Sequence, residues 1–322
     1  MLASFAESQS ASDPIAGLRV GERPDPQSRP GWSVVSVKAA GLNRHDLWSL
    51  MGVGLPADRL PMVLGCDGAG IEEDGNEVIV HSVVASEGWS GDETLDPGRT
   101  LLSEKHDGTL AQRVLVPTRN LVPKPKELDW DVAGCISTAA LTAYRMLFVN
   151  AGVQPGATVL VQGVSGGVAT ALLQLGAAAG YRMWATTRDA GKRERALGLG
   201  AEQVFETGAR LPARVDAVME TVGAATWSHS VNSLQPGGTI VISGATSGDA
   251  PAKAELTKIF FRQLRVVGST MGTRGELERL VQLLVTSGVR PVVDRVLPLD
   301  RAAEGFEAMA RGEVFGKVVF TP

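Results

Sequence analysis

Cysteine, aromatic residues and long apolar runs are all scarce in this sequence. Of its 322 residues only Cys66 and Cys135 are cysteines, and 5% are aromatic. Two cysteines permit at most one disulfide, which fits a reducing compartment. Charged residues or glycines interrupt every apolar run before membrane-spanning length, and the N-terminal segment lacks a basic start followed by an apolar stretch. We therefore expect a cytoplasmic protein with no membrane partner.

A strong excess of charge of either sign is also missing. Lysine and arginine number 31 and aspartate and glutamate 35, which gives a net charge of −4. This balance, without a stripe of basic and aromatic residues, argues against a nucleic-acid partner. The histidines lack the H-x-x-H and H-E-x-x-H spacings that place two metal ligands on one helix face. The composition indicates a globular chain long enough for two domains.

The first third of the chain is typical of short strands and turns. Strands are expected at Trp32–Val37, Pro61–Leu64 and Glu77–Val84. Between Ser86 and Gly108 the polar, glycine- and proline-containing stretch predicts an irregular solvated loop.

From Ala157 onwards, apolar strands alternate with helices. The expected elements are a helix over Val168–Ala179 and the strands Thr158–Gln162, Arg182–Thr187, Val215–Glu220, Thr239–Ser243 and Arg265–Gly268. Such alternation predicts a parallel sheet covered by helices, because parallel strands need crossover connections. In the tail, Thr273 and Glu276 form a capping-box pattern ahead of a helix that Gly288 ends. A strand, a helix and a last strand follow, so the tail returns to the mixed style of the first third.

The segment VQGVSGGVA, residues 161–169, places Gly163, Gly166 and Gly167 between a buried strand and a helix. A dinucleotide pyrophosphate is an anion that must approach backbone N–H groups and the positive end of a helix, which larger side chains would obstruct. The strict G-x-G-x-x-G pattern is absent, but the strand, helix and second strand are suitably spaced. The segment predicts a dinucleotide-binding turn, with a purely structural turn as the alternative.

The residues after the second strand indicate which dinucleotide is bound. NAD-binding proteins usually carry an acidic residue there, whereas this strand ends at Thr187 and continues with Arg188 and Lys192. Arg188 can offer paired planar donors to a 2′-phosphate, and Lys192 a point charge. Asp189 leaves NAD(H) open, and all these charges could instead form a solvated helix face. NADP(H) is the favoured cofactor.

Several segments together resemble the medium-chain dehydrogenase/reductase superfamily, especially its zinc-independent quinone oxidoreductase-like branch. They are AAGLNRHDLWSLMG (39–52), LGCDGAG (64–70), TAALTAYRML (138–147), VQGVSGGVA (161–169), VMETVG (218–223), GGTIVISG (237–244), VVGSTMGT (266–273) and FGKVVF (315–320). The resemblance implies an α/β fold with two domains. Residues 138–272 would form a Rossmann domain with a doubly wound parallel sheet, and 1–137 with 273–322 a mostly β, GroES-like catalytic domain. It also implies a small-molecule substrate and a homodimer, formed through the edge of the Rossmann sheet.

Zinc-dependent members of this family carry Cys, His and Cys at three positions that look like Asn43, Cys66 and Thr138 here. A thiol with an amide and a hydroxyl is a poor zinc set, because zinc prefers several Cys or His donors in a tetrahedron. A shifted alignment could recruit Cys135, three residues from Thr138. The closely spaced cysteines of a structural zinc lobe have no counterpart between Ser86 and Gly108. We expect no metal.

Without a metal to polarise a simple carbonyl, the acceptor should be activated by conjugation, as a quinone or an α,β-unsaturated carbonyl is, with hydride from NADPH. By resemblance, Asn43 lies beside the nicotinamide and would donate to the developing enolate oxygen. His45 could deliver a proton, and Trp48 would form a pocket wall. Structural roles are the alternatives: Asn43 bonding backbone in its turn, His45 held by Asp46, and Trp48 in the core.

The resemblance also implies the contacts to the cofactor. Arg44 and Thr142 are expected to contact the cofactor. The other contacts are Ser165, Gly166, Gly167 and Val168 at the pyrophosphate; Thr187, Arg188 and Lys192 at the adenosine; Thr221, Gly244 and Ala245 at the nicotinamide; and Ser269, Thr270, Met271 and Lys317 closing the site. Three other functions stay open: an alcohol dehydrogenase of the same superfamily, an enoyl-thioester reductase, and a noncatalytic dinucleotide-binding protein.

Overall fold

In the computed structural model, which describes residues 1–322, the chain folds into two units. Unit 1 contains Met1–Leu141 and Met271–Pro322, and unit 2 contains Thr142–Thr270. The boundaries expected from the sequence, at 137/138 and 272/273, lie within four residues of these. No helix combines the length and the apolar character needed to cross a membrane.

The chain forms eighteen strands and nine α-helices. The strands are β1 Leu2–Ala6, β2 Leu18–Glu22, β3 Trp32–Gly41, β4 Met62–Val63, β5 Ala69–Glu72, β6 Glu77–Val80, β7 Val83–Val84, β8 Thr100–Leu101, β9 Arg113–Pro117, β10 Leu121–Pro123, β11 Thr158–Val161, β12 Arg182–Thr187, β13 Ala201–Glu206, β14 Val215–Glu220, β15 Leu234–Ile242, β16 Arg265–Gly268, β17 Val293–Pro298 and β18 Lys317–Thr321. The helices are α1 Arg44–Leu50, α2 Trp130–Ala133, α3 Leu141–Tyr144, α4 Gly167–Ala178, α5 Ala190–Gly198, α6 Trp227–Ser233, α7 Leu256–Phe261, α8 Arg274–Ser287 and α9 Ala302–Ala310. Wider helical turns at Ile136–Ala140 and Arg145–Asn150 flank α3.

Unit 1 is built on a seven-stranded sheet with the order β10-β6-β5-β3-β18-β17, in which β9 also pairs with β3. The last strand, β18, runs antiparallel to β3 and places Phe320 opposite Ala40. A three-stranded sheet, β2-β1-β4, and the pair β7-β8 complete the unit. Phe306 and Phe320 are fully buried in its core. The tail therefore completes the sheet of the N-terminal part, as the family resemblance implies.

Unit 2 contains one parallel sheet of six strands in the order β13-β12-β11-β14-β15-β16. Counted along the chain, this order is 3-2-1-4-5-6, that of a doubly wound Rossmann sheet. The strand order reverses between β11 and β14, and ligands of such sheets bind beyond the carboxyl ends of the strands at that point. The predicted fold class is therefore confirmed, and the glycine turn after β11 lies at the switch point.

The structure confirms the helix start predicted in the tail and divides one strand predicted in the first third of the chain. The helix expected after Thr273 is α8, and the capping box is formed: Glu276 accepts the N–H of Thr273, and Thr273 Oγ1 accepts the N–H of Glu276. The single strand expected over Glu77–Val84 is instead β6 and β7. The side-chain amide of Asn120 donates to the carbonyls of His81 and Val83, which occupies both groups at the break between the two strands.

Candidate functional site

A buried aspartate fixes the start of α1 in unit 1. Asp46 Oδ2 accepts the N–H of Asn43, and Oδ1 accepts the N–H of Gly65, both at 2.8 Å. Burial raises the pKa of this carboxyl, although His45 and the two backbone amides favour its charged form. Because one side chain bonds two backbone segments, the AAGLNRHD and LGCDGAG segments are held together.

Lys317 lies inside unit 1, next to this turn. Its Nζ donates to Leu42 O at 2.8 Å, Asn43 Oδ1 at 2.6 Å and Asp67 Oδ2 at 2.8 Å. An ammonium has three hydrogens, and these three acceptors use all of them. The ammonium is thus saturated within unit 1 and holds Asn43 and Asp67 in place. The predicted contact between Lys317 and the cofactor would cost one of these three bonds, and it stays a prediction.

The same cluster determines how the amide of Asn43 is used. Nδ2 donates to Asp67 Oδ2 at 2.9 Å and to Gly41 O at 3.3 Å, while Oδ1 accepts from Lys317. Both amide hydrogens thus have acceptors inside unit 1. A bond from Asn43 to an enolate oxygen would require the loss of one of them. The structure matches the structural alternative for Asn43, which bonds the backbone of its own turn.

His45 lies between a thiol and a carboxylate. Its Nδ1 is 3.4 Å from Cys66 Sγ, and its Nε2 is 3.2 Å from Glu104 Oε1. Burial alone would lower the pKa of the His45 imidazole, but Cys66, Glu104 and Asp46 outweigh it and raise this pKa well above its ordinary value. The hydrogen bonds of Glu104 to His45, Leu101 and Thr100 likewise outweigh its burial and lower the pKa of its carboxyl. Both shifts favour the charged forms of the two partners, an imidazolium facing a carboxylate.

Glu104 is a site residue that the sequence analysis missed. It belongs to the stretch between Ser86 and Gly108, which was interpreted as a solvated loop. No local pattern links it to His45, since the two are 59 positions apart. The other predicted residues of α1 are less enclosed: Trp48 is half-buried, so it is not a core residue, and Arg44 is exposed.

The three positions where relatives carry zinc ligands already have other partners or weak donors in this chain. Asn43 Oδ1 faces the Lys317 ammonium, whose positive charge would oppose a metal ion. Cys66 Sγ is engaged with His45, with Leu102 O at 3.3 Å and with Ser103 Oγ at 3.6 Å. Burial raises the pKa of the Cys66 thiol, which disfavours the thiolate that zinc binds. Thr138 adds only a hydroxyl, so the three residues do not fit zinc.

Neither Cys135 nor the cluster of His45, Asp46 and Cys66 offers zinc a better set of ligands. Burial raises the pKa of Cys135 to about 12. The donor atoms of His45, Asp46 and Cys66 lie within 4.8 Å of one another. Both carboxylate oxygens of Asp46, however, already accept backbone hydrogens. A metal ion bound here would have to share the oxygens of Asp46 with the N–H groups of Asn43 and Gly65, and without Asp46 only one histidine and one thiol are left as ligands.

In unit 2, the glycine turn between β11 and α4 leaves the helix start open. Gly163 has a φ of +80°, a conformation that favours glycine. Gly166 is the N-cap of α4, no side chain caps this helix, and a Cβ at Gly166 would meet nothing within 4 Å. The first N–H groups of a twelve-residue helix are therefore accessible to an anion. Ser165 to Val168 form this helix start, which fits a dinucleotide pyrophosphate.

The adenosine-side residues follow β12. Thr187 is buried at the end of the strand, whereas Arg188 is exposed and makes no side-chain hydrogen bond or ion pair. Asp189, the residue that left NAD(H) open, is the N-cap of α5, and its Oδ1 accepts the N–H of Lys192 at 3.1 Å. A carboxylate oxygen engaged in this cap is less available to a ribose hydroxyl, while Arg188 remains available to a phosphate.

The residues assigned to the nicotinamide lie at the ends of neighbouring strands. A Cβ at Gly244, after β15, would lie 2.9 Å from the carbonyl oxygen of Thr221, after β14, so this close approach requires glycine. Ser269 Oγ accepts a hydrogen bond from Asn150 Nδ2 at 3.0 Å. Thr142 is buried and Thr270 exposed in unit 2, while Met271 is buried in unit 1. The contacts of these residues and of Ala245 with a cofactor stay predictions.

Comparison with known proteins agrees with this division. A family model described as "Alcohol dehydrogenase GroES-like domain" matches residues 29–126, and one described as "Zinc-binding dehydrogenase" matches residues 167–286. Acryloyl-coenzyme A reductase of Sulfurisphaera tokodaii is 27% identical, over 96% of this chain and 98% of that protein. A zinc-type alcohol dehydrogenase-like protein of Schizosaccharomyces pombe is 31% identical, over 95% of this chain and 96% of that protein.

Among solved structures, an NAD-dependent alcohol dehydrogenase superposes with a TM-score of 0.92 at 33% identity and covers 100% of both chains. The relatives are oxidoreductases by name, and with the dinucleotide turn of unit 2 they show an NAD(P)H-dependent oxidoreductase. The chain belongs to the medium-chain dehydrogenase/reductase superfamily.

Proposed function

We propose that this enzyme is an NADPH-dependent reductase of enoyl thioesters that works without a catalytic metal. The observation that carries the proposal is the contact of Lys317 with Asn43, which places a side-chain cation on one of the three positions where relatives carry zinc ligands. An acceptor whose double bond is conjugated to a carbonyl needs no metal to polarise it. The similarity to acryloyl-coenzyme A reductase supports the thioester as this acceptor, ahead of the quinone favoured by the sequence alone.

When bound, the reduced nicotinamide supplies the hydride. The accessible N–H groups at the start of α4 bind the pyrophosphate, and Arg188 with Lys192 receives the 2′-phosphate. This binding orients the cofactor and is the larger part of the catalytic contribution that unit 2 makes.

Reduction of an enoyl thioester also needs one proton. The hydride forms a C–H bond at the carbon β to the carbonyl, the carbon–carbon π bond breaks, and the electron pair moves into an enolate. A proton at the α carbon then completes the saturated thioester. We assign this proton to His45, because Cys66 and Glu104 raise the pKa of its imidazole and its side chain is 16% exposed, which allows its proton to be restored from water. Transfer of either proton breaks the hydrogen bond of that ring nitrogen to Cys66 or Glu104.

A zinc-dependent alcohol dehydrogenase is the competing function. The relative from Schizosaccharomyces pombe and the solved structure at 33% identity carry alcohol dehydrogenase names. That chemistry would need a metal to bind the alcohol oxygen and lower its pKa. The donor set of this chain does not favour such a metal.

We extend the proposal to the assembly of the enzyme. Strand β16 is an edge of the Rossmann sheet, and beside it α7 and β16 expose Leu256, Phe260, Phe261 and Val266 at 70, 68, 80 and 44%. An open strand edge with an apolar patch is an aggregation hazard unless a partner covers it. A second copy related by a two-fold axis would place β16 against β16 and the same side chains against each other. The proposed partner is therefore a second copy of this chain.

The first prediction concerns the acceptor. The purified enzyme should oxidise NADPH with short enoyl-CoA thioesters at a kcat/KM about tenfold or more above that for simple quinones. It should not oxidise primary alcohols, and dialysis against a chelator should leave the rate unchanged. The measurements are NADPH absorbance with a substrate panel, and elemental analysis of the protein. Stoichiometric zinc together with loss of activity on chelation would instead support the alcohol dehydrogenase.

The second prediction concerns the cofactor. Replacing Arg188 by Ala should weaken NADPH binding by about tenfold to a hundredfold, because one or two charge-assisted hydrogen bonds to the 2′-phosphate are lost. NADH binding should change little. Fluorescence titration of both cofactors measures this, with Arg279→Ala as a control, since Arg279 is an exposed arginine on α8 of unit 1. Equal losses for NADPH and NADH would contradict the assignment.

The third prediction concerns the proton. Activity that requires protonated His45 is present below its raised pKa and is lost as the pH rises through it. Glu104→Gln removes a carboxylate that raises this pKa, so the alkaline limb of the kcat profile should move down by about one pH unit. His45→Phe should lower kcat without comparable loss of NADPH affinity. Glu87→Gln, an exposed change in the same loop, is the matched control and should leave the profile in place. An unchanged alkaline limb in Glu104→Gln would remove His45 as the acid.

The fourth prediction concerns the dimer. Light scattering after size exclusion should give twice the chain mass of 33.8 kDa. Phe261→Asp should shift the protein towards the monomer, because it places a charge in the proposed interface. Leu95→Asp, which changes a side chain of unit 1 with 69% exposure, should leave the dimer intact. A monomeric native protein would contradict the dimer. A dimer that tolerates Phe261→Asp would show that it forms through another surface.

A further inference from the structure

Unit 2 contains a chain of buried hydrogen bonds that starts at the phosphate-binding turn. The N–H of Gly163 donates to Thr186 Oγ1 at 3.2 Å, and Thr186 Oγ1 donates to Gln162 Oε1 at 2.8 Å. Gln162 and Thr186 both have no exposed surface. The first glycine of the turn is therefore held by a hydroxyl from the neighbouring strand β12, and that hydroxyl is held by the last side chain before the turn.

The chain continues from Gln162 to helix α6. Gln162 Nε2 donates to Ser230 Oγ at 2.9 Å and to His229 Nδ1 at 2.8 Å. Ser230 Oγ donates in turn to Glu220 Oε2 at 2.5 Å. His229 Nε2 is 2.9 Å from Ala209 O, which can only accept, so Nε2 carries the hydrogen and Nδ1 is the acceptor.

Glu220 ends the chain and fixes a second turn. Its Oε1 accepts the N–H groups of Val222 at 2.8 Å and Gly223 at 3.0 Å. The hydroxyl of Thr226 also donates to this carboxylate at 2.9 Å. The turn after β14 begins with Thr221, one of the residues that the family resemblance assigns to the nicotinamide. The two ends of the hydrogen-bond chain thus lie at two turns of the dinucleotide site.

The direction of every bond in this chain is determined. The carboxylate of Glu220 can only accept, so Ser230 donates its hydrogen to Glu220 and accepts from Gln162. Because His229 Nδ1 also accepts, the amide nitrogen of Gln162 faces His229 and Ser230. Its oxygen therefore faces Thr186, whose hydroxyl donates to it and accepts the N–H of Gly163. Hydrogen bonds aligned in one direction polarise and strengthen one another in a low-dielectric interior. A change at one end should therefore be felt at the other.

We propose that Gln162 is a positioning residue for the dinucleotide, which couples the Gly163 turn to the Thr221–Gly223 turn through Thr186, Ser230 and Glu220. An apolar side chain would fill the same volume without the cost of burying polar groups. The polar chain instead specifies one relative geometry for the turns on either side of the switch point. The inference rests on dinucleotide binding by unit 2 and does not depend on the thioester or on His45.

The first test removes one link while keeping its shape. Thr186→Val leaves the N–H of Gly163 without its acceptor, and the dissociation constant for NADPH should rise about fivefold to tenfold. Thr186→Ser restores the hydroxyl and should bind within about twofold of the native protein. Ser233→Ala is the structural control, since Ser233 Oγ bonds only the carbonyl of His229 in the same helix at 2.8 Å. It should lower thermal stability and leave NADPH affinity unchanged.

The second test measures the coupling itself. Thr186→Val and Ser230→Ala act on opposite sides of Gln162, and the double variant should lose less affinity than the product of the two single losses. Hydrogen exchange should show faster exchange of the Gly163 amide in Gln162→Leu and in Ser230→Ala. Multiplicative losses, a Gly163 amide that is unaffected by Ser230→Ala, or native affinity in Thr186→Val would overturn the proposal. Native protein that binds no dinucleotide would instead refute the cofactor assignment, which separates the two failures.

Discussion

The ammonium of Lys317 is the charge on which the arrangement of unit 1 depends. It comes from β18, and it binds Asp67 and Asn43, which lie 250 and 274 positions earlier in the chain. A buried ammonium is costly unless it is paired and its hydrogens are all bonded. The three acceptors meet this need only when β18 lies beside β3 in one register, with Val319 opposite Gly41. The electrostatic requirement and the sheet pairing therefore select the same structure, and the tail of the chain is fixed beside the segment that carries Asn43 and His45.

The same cation limits the chemistry of its neighbours. Asn43 Oδ1, at one of the zinc positions of the family, already binds Lys317, and so does the neighbouring carboxylate oxygen Asp67 Oδ2. The amide hydrogens of Asn43 are bonded as well. Among the polar groups of this cluster, His45 is the one with a raised pKa, a carboxylate partner and partial exposure, and so it combines a proton with a route to water. These contacts support the proposal that the imidazole of His45, and not a residue at the zinc positions, supplies the proton.

Both units use a buried carboxylate to hold an irregular turn. In unit 1, Asp46 accepts the N–H groups of Asn43 and Gly65; in unit 2, Glu220 accepts those of Val222 and Gly223. Each carboxylate belongs to a helix or strand that packing already fixes. Backbone N–H groups in turns have no partner from regular structure, and a buried one without a partner costs free energy. One anchored carboxylate satisfies two of these N–H groups at once, so the functional residues beside each turn are held in place relative to the core.

The sequence is informative where structure depends on neighbours along the chain. The capping box of Thr273 and Glu276 and the strand–turn–helix at Gly163 involve residues a few positions apart, so their pattern predicted their structure. Glu104 and Lys317 are different, because the partners that bring them to the site, His45 for Glu104 and Leu42, Asn43 and Asp67 for Lys317, lie 59 to 275 positions away. Nothing local distinguishes the two residues from solvated charges. Likeness to a family places such residues but does not tell which bonds they make. Asn43 illustrates this, since its position beside α1 followed from the resemblance, whereas the fate of its two amide hydrogens depended on Asp67 and Gly41. The chemistry of a polar group depends on its hydrogen-bond partners. Its role in a relative can therefore be assigned to this chain only when the same partners are present as well.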